Sequence, residues 1–195
     1  MIDNRVEKIR KNLEEIMNIL ELDRTNSNEG TPLRISKMRV NEIFANRNNN
    51  NLDELKAKMK VFDNIDNINE LVVIKDIEFS SFCEHHWLPF SGKISVGYVP
   101  DKYIVGLSKV PRVVKYFSQK PQLQERLVKE VAEFLNAEIQ PKCLFVMAEA
   151  IHTCVMCRGA ESDCETNTIY KIGMDNELAP DYYKEFLSRT YRSGK

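Results

Sequence analysis

The sequence predicts an α+β fold: an antiparallel β-sheet with helices on one face, preceded by an N-terminal helical segment. Three observations lead there. From residue 71 onward the apolar pattern reads strand, strand, helix, helix, strand, strand. Before residue 50 it has helical spacing only, and the asparagine run Asn48 to Asn51 ends it. The 195 residues suffice for one sizeable core with an appendage. The expected division is 1–50, an N-terminal helical segment, and 51–195, the main domain.

Val6, Ile9, Leu13, Ile16, Met17 and Leu20 recur with helical period, which predicts a helix over 6–23. Thr31 before Pro32 reads as an N-cap followed by proline at the first helical position. Ile35, Met38, Ile43 and Phe44 would form the buried face of that second helix. Residues 71–82 are β-rich, and Ile94, Val96 and Tyr98 alternate onto one face of a strand. Helices are expected near 108–118 and 121–138, strands near 143–153 and 166–172, and a last helix over 181–192.

A net charge of −1 gives no overall attraction to nucleic acid or to anionic membranes. No apolar stretch approaches the roughly 20 residues a membrane span needs, and the start of the chain lacks the apolar core of a signal peptide. The five cysteines are an odd number, and those beside histidines stand in short clusters. That pattern suits thiols kept for metal or chemistry in a reducing cytoplasm rather than a disulfide scaffold.

All three histidines lie within three residues of a cysteine, in Cys83-Glu84-His85-His86 and His152-Thr153-Cys154. A lone histidine is usually a hydrogen-bonded core or surface residue; every histidine of a chain standing in a cysteine cluster is harder to dismiss. Thiolates with imidazoles favour zinc among common metals. Cys83 and His86 are spaced to grip one ion from a turn. Cys154 and His152, two apart in the expected strand, would face the same side. Cys83, His86 and Cys154 would leave a fourth position open, as in catalytic zinc sites. The rival reading adds Cys157 as a fourth ligand and makes the site structural. It leaves His85 and His152 without a role, and the clusters lie farther apart than in ordinary zinc fingers. A nucleoside deaminase is a weaker rival, because Glu84 precedes the histidines and Thr153 stands where proline is expected.

Between 108 and 120 stand Lys109, Arg112, Lys115 and Lys120 with no acidic residue. Ser108 can cap the helix that Lys109 begins, and a helix start with cations suits phosphate. Lys115 and Lys120 read as a solvated face. Arg158, four residues past Cys154, brings a cation toward the metal or forms a surface salt bridge. Glu125 either favours its helix dipole or turns inward to accept the paired N–H groups of a guanine edge.

Together these stretches resemble the GTP cyclohydrolase I family. The resemblance rests on Cys83-Glu84-His85-His86, Gly106-Leu107-Ser108-Lys109, Arg112, Gln122-Leu123-Gln124-Glu125-Arg126, His152-Thr153-Cys154 and Arg158-Gly159, with Thr31-Pro32, Arg34, Lys37 and Met38 upstream. It implies the tunnelling fold, in which sheets of several subunits join into a barrel. It implies a homodecamer of two pentamers with active sites between subunits. The implied reaction turns GTP and water into formate and 7,8-dihydroneopterin triphosphate, the first step toward folate and biopterin. By matching position, Cys83, His86 and Cys154 are the zinc ligands, and His85, His152 and Gln124 serve catalysis. Glu125 holds the guanine, and Leu107, Ser108, Lys109, Arg112, Arg158 and Lys37 make the remaining substrate contacts. The chain departs from the family at Cys157, at Cys164 in the acidic stretch 161–168, and at Tyr170 to Gly173, which lacks paired glycines. A tunnelling-fold relative with a different pterin or deazapurine reaction is the third reading.

Overall fold

A computed structural model describes residues 3–191. Its centre is a five-stranded sheet in the order β5-β2-β3-β6-β7. The strands are β2 (Val72–Cys83), β3 (Pro89–Val99), β5 (Pro121–Gln122), β6 (Cys143–His152) and β7 (Glu165–Ile172). Every pairing is antiparallel except β5 with β2. A separate two-stranded ribbon joins β1 (Val61–Asp63) to β4 (Tyr103–Val105).

The alternation expected along β3 sets the layers. Ile94, Val96 and Tyr98 lie opposite Ala148, Val146 and Leu144 of β6. That face is covered by α4 (Lys109–Ser118) and α5 (Gln124–Ile139). Leu127, Val131 and Leu135 of α5 are fully buried there, and each such side chain contributes roughly 1.5–3 kcal/mol. The α+β arrangement with helices on one face therefore holds for α4 and α5. The last helix, α7 (Ala179–Thr190), covers part of the opposite face, where Phe186 packs with Val99, Phe145 and Met147. Gly97 makes room for it: a Cβ there would stand 2.5 Å from the Phe186 ring.

The N-terminal segment differs in detail from its sequence reading. Helix α1 (Asn4–Ile19) stops short of residue 23, and Leu20 is 61% exposed. Helix α2 (Thr31–Met38) is capped at Gly30 without a side chain, because the Thr31 hydroxyl instead accepts from Arg34 at 2.9 Å. A π turn, Arg39–Ile43, follows α2 and rotates the register. The inward positions are Pro32, Ser36 and Val40, while Met38 faces out. Past it, Asn48, Asn49 and Asn51 adopt positive φ, which asparagine tolerates better than most residues. They lead into a short helix, α3 (Leu52–Ala57), that the sequence pattern does not announce.

Candidate metal centre and its surroundings

Three elements converge at one end of the sheet. The β2–β3 hairpin closes there: Trp87 N–H donates to Cys83 O at 2.8 Å, and Cys83 N–H to Leu88 O at 2.9 Å. This turn carries Cys83, Glu84, His85 and His86. Beside it, β6 ends at His152 and passes directly into the one-turn helix α6 (Thr153–Met156). The Thr153 hydroxyl fastens α6 to the start of β3 through Pro89 O at 2.6 Å. His152 and Cys154 thus approach the same site across a strand-to-helix turn, not along one strand as their spacing suggested. The expected helix start at Pro121 is likewise a strand: Pro121 and Gln122 pair with Phe82 and Cys83. That pairing docks the first turn of α5 against the metal end.

The donor atoms of Cys83, His86 and Cys154 all lie within 4.8 Å of one another. Cys157 is exposed and outside the group, which weighs against the four-ligand structural site. Burial pushes the Cys154 thiol up, the neighbouring Cys83 pushes it the same way, and Arg158 pulls it down. A cation among these sulfurs removes the obstacle to losing their protons.

His85 and His86 are exposed, with ring centroids 6.2 Å apart, and His85 Nδ1 is 3.8 Å from Cys83 Sγ. His152 is held more firmly. Its ring stacks on Phe90 at 4.6 Å and 3°, and its Nε2 meets Gln124 Oε1 at 2.8 Å. Gln124 is only 1% exposed, and its Nε2 donates to Ala148 O and Thr166 O. The Gln124 oxygen can then only accept, so His152 donates from Nε2 and keeps a lone pair at Nδ1 while neutral. Burial lowers the His152 pKa below its usual value, and the Glu125 charge acts against that. Glu125 itself stands exposed in the first turn of α5.

The sequence did not single out the clamp behind the turn. Arg126 pairs with Glu84, donates from Nε to Gln122 Oε1 at 2.8 Å, and donates from Nη2 to Pro121 O at 3.1 Å. Gln122 and Arg126 are four apart, a spacing that could have flagged them had β5 been foreseen. Glu130 bridges Gln122 and Lys120. Lys120, expected on a solvated face, is in fact buried, 2.9 Å from Glu130 and near the Phe117 ring. It lies in the short connection from α4 to β5, where Asn49 and Glu130 both accept from its ammonium.

The basic residues lie elsewhere. The C-terminal end of α4 is bonded to β2, with Ser81 Oγ donating to Ser118 O at 2.8 Å. Its N-terminal end, which follows Leu107 and Ser108 and starts at Lys109, is about 14 Å away along the helix axis, with Arg112 about 9 Å away. The Ser108 hydroxyl makes no capping bond. Lys109, Arg112 and Lys115 instead line a cleft of about 290 Å³ with Lys58 and Glu54. Arg158 is exposed just past α6, and Lys37 is exposed on α2. No helix among the described residues is long and apolar enough to cross a membrane.

Residues 9–189 match the family described as GTP cyclohydrolase I. A GTP cyclohydrolase 1 of Sulfurihydrogenibium sp. (strain YO3AOP1) is 46% identical over 132 residues, which are 68% of this chain and 66% of that relative. One from Sodalis glossinidius (strain morsitans) is 37% identical across 96% of this chain and 84% of its own length. One from Shewanella loihica (strain ATCC BAA-1088 / PV-4) is 38% identical across 94% and 85%. With the match running from α1 to α7, the chain belongs to the GTP cyclohydrolase I family.

Proposed function

We propose that this enzyme uses the Cys83, His86 and Cys154 group to hold zinc, with His85 and His152 as the proton-transferring residues beside it. As a GTP cyclohydrolase I, it converts GTP to 7,8-dihydroneopterin triphosphate and formate, the first step of pterin and folate biosynthesis. The observation that carries the site assignment is the convergence of two thiols and one imidazole within 4.8 Å. Tetrahedral ligands around one zinc stand about 3.5–3.8 Å apart, given Zn–S near 2.3 Å and Zn–N near 2.0 Å. The group therefore needs only a small contraction to close on the ion. Zinc held there supplies Lewis-acid activation of water near neutral pH.

The chain's own residues do the rest. His85 gives a proton to N7 of the guanine, making C8 electrophilic. Water adds at C8, the imidazole ring opens, and the formyl group is hydrolysed to formate. His152 then moves protons during ribose opening and the rearrangement that closes the pterin ring. Gln124 acts through His152: its buried amide fixes which ring nitrogen carries the proton. Glu125 accepts from the guanine edge, and Leu107, Ser108, Lys109, Arg112, Arg158 and Lys37 surround the triphosphate.

The placement of Ser108 and Lys109 at the end of α4 opposite its bond to β2, about 14 Å along the axis, supports an active site shared between subunits. The outer edge of β7, and the edge of β2 facing away from β3 before Phe82, have no strand partner among the described residues. Open edges of that kind support sheets joining into the barrel of a homodecamer.

The test is direct. The zinc-loaded protein with GTP is expected to release formate as pterin absorbance rises, and a chelator is expected to abolish both. His85→Ala is expected to keep its metal and to lower kcat by about 10²–10⁴. Loss of the metal in that variant would remove His85 from its assigned role.

A further inference from the structure

Beside the metal turn, and lined by none of its three ligands, a groove of about 500 Å³ runs between α1 and the Arg39–Arg47 segment. That volume lies within the roughly 300–1,000 Å³ of small-molecule sites. Its floor is apolar: Leu13 of α1, then Val40, Phe44 and Trp87. Its rim carries Arg5, Lys8, Arg39 and Arg47, and no acidic side chain lines it among the described residues. Two of those cations are already engaged, Arg5 with Asp3 and Arg47 with Phe44 O. Lys8 and Arg39 have no carboxylate partner among the described residues. The Arg39 guanidinium lies 5.2 Å from the centroid of the Trp87 ring, with Phe44 edge-on to the same indole at 5.5 Å.

An apolar floor, a half-exposed indole and cations without counter-charges ask for one kind of occupant. We propose that this groove binds a small aromatic anion, a flat ring system bearing a sulfonate, carboxylate or phosphate. The ring lies against Trp87 and Phe44, replacing water on apolar surface. The anionic group takes Arg39 and Lys8, where a guanidinium offers paired donors. A peptide or a second copy of the chain would also cover apolar surface. Neither accounts for Lys8 and Arg39 without carboxylate partners at the rim of a space of small-molecule size.

The groove touches the metal turn through one residue. Trp87 follows His86, and its N–H closes the turn onto Cys83 O at 2.8 Å. Its φ of 53° is a left-handed conformation that bulky residues seldom adopt. An occupant stacked on the indole therefore bears on the segment that holds two of the three metal donors.

Trp87 is the only tryptophan of the chain, so its fluorescence reports this groove alone. The probe is 8-anilinonaphthalene-1-sulfonate, titrated into the metal-loaded full-length protein with excitation of Trp87. Saturable quenching with energy transfer to the dye is expected. Arg39→Gln and, independently, Lys8→Gln are expected to weaken it roughly tenfold. The uncharged N-phenyl-1-naphthylamine is expected to bind more weakly than the sulfonate. Dye emission without transfer from Trp87, or the same affinity in both variants, overturns the proposal. So does failure of acrylamide to quench Trp87 in the ligand-free protein, because the groove is then covered by another copy. None of these signals depends on turnover, so they stand apart from the cyclohydrolase assay.

Discussion

At one end of the sheet, a hairpin turn and a strand-to-helix junction bring Cys83, His86 and Cys154 within 4.8 Å of one another. Toward the other end of α4 from its bond to β2, Lys109 and Arg112 line a separate cleft. Both groups carry the family's motifs, yet one chain assembles only the first. Cys83 ends β2, His86 lies in the turn to β3, and Cys154 lies in α6 directly after β6, so the β2–β3–β6 ladder and the bonds that close its ends set their spacing. The cations are tied to no such ladder with the metal end. The difference implies that a metal group must be exact within one subunit, whereas a polyanion can be gathered from the surfaces of several.

The largest effect is expected at the metal end. Cys154→Ser should lose both bound zinc and formate release, with kcat falling by at least about 10³. Cys157→Ser, changing an exposed thiol outside the group, should keep both. Metal content by elemental analysis alongside the activity assay separates the two. Equal metal loss in both variants would restore the four-ligand structural reading.

Mixing subunits tests the other half of the comparison. Cys154→Ser damages the metal end, and Arg112→Ala damages the cation end. If one active site draws its two ends from different chains, co-refolding equal amounts should recover activity. Half the metal ends and half the cation ends are intact, so about a quarter of the sites are complete. Recovery no greater than the sum of the separately refolded variants would place both ends in one chain.

Much of this was legible before the structure. The candidate metal group was readable because the chain's histidines all stand in clusters with cysteines. The β3 alternation gave the core face, since period two leaves little choice when helices cover one side. What escaped depended on contacts far apart in sequence. Met38 is exposed because α2 turns Pro32 and Ser36 inward, leaving Met38 on the far side. The two-residue strand β5 exists only because β2 offers an edge to Pro121 and Gln122. Lys120 is buried because Glu130 and Asn49 converge on it. Helical periodicity cannot report such partners, because each lies on a different element. Family resemblance implied a role for Lys109 and Arg112, but not the cleft they line with Lys58 and Glu54.

Gln124→Met should show how closely the metal end is tuned around one histidine. Met is close to Gln in size but offers His152 only a weak thioether acceptor. The ring keeps its stack on Phe90 and loses the bond that fixes its tautomer. Metal content and KM should stay near the parent values, with kcat lower by roughly ten- to a hundredfold. A change in KM alone would assign Gln124 to the substrate instead.

The smallest effect is expected from Glu84→Gln. Glu84 lies between Cys83 and His85, and Arg126 holds its carboxylate from the first turn of α5. Partners behind metal ligands commonly change affinity by about 10- to 100-fold. Here the pair is 39% and 32% exposed, so water screens much of its attraction. The Glu84 N–H also donates to Gln122 O at 3.0 Å, which anchors the turn without the carboxylate. A loss of zinc affinity below about tenfold is therefore expected, with kcat unchanged once the metal is saturating. Competition with a chelator of known affinity measures it. A loss as large as that of Cys154→Ser would mean that the turn has no backbone anchor of its own, and that the metal end too depends on a long-range partner.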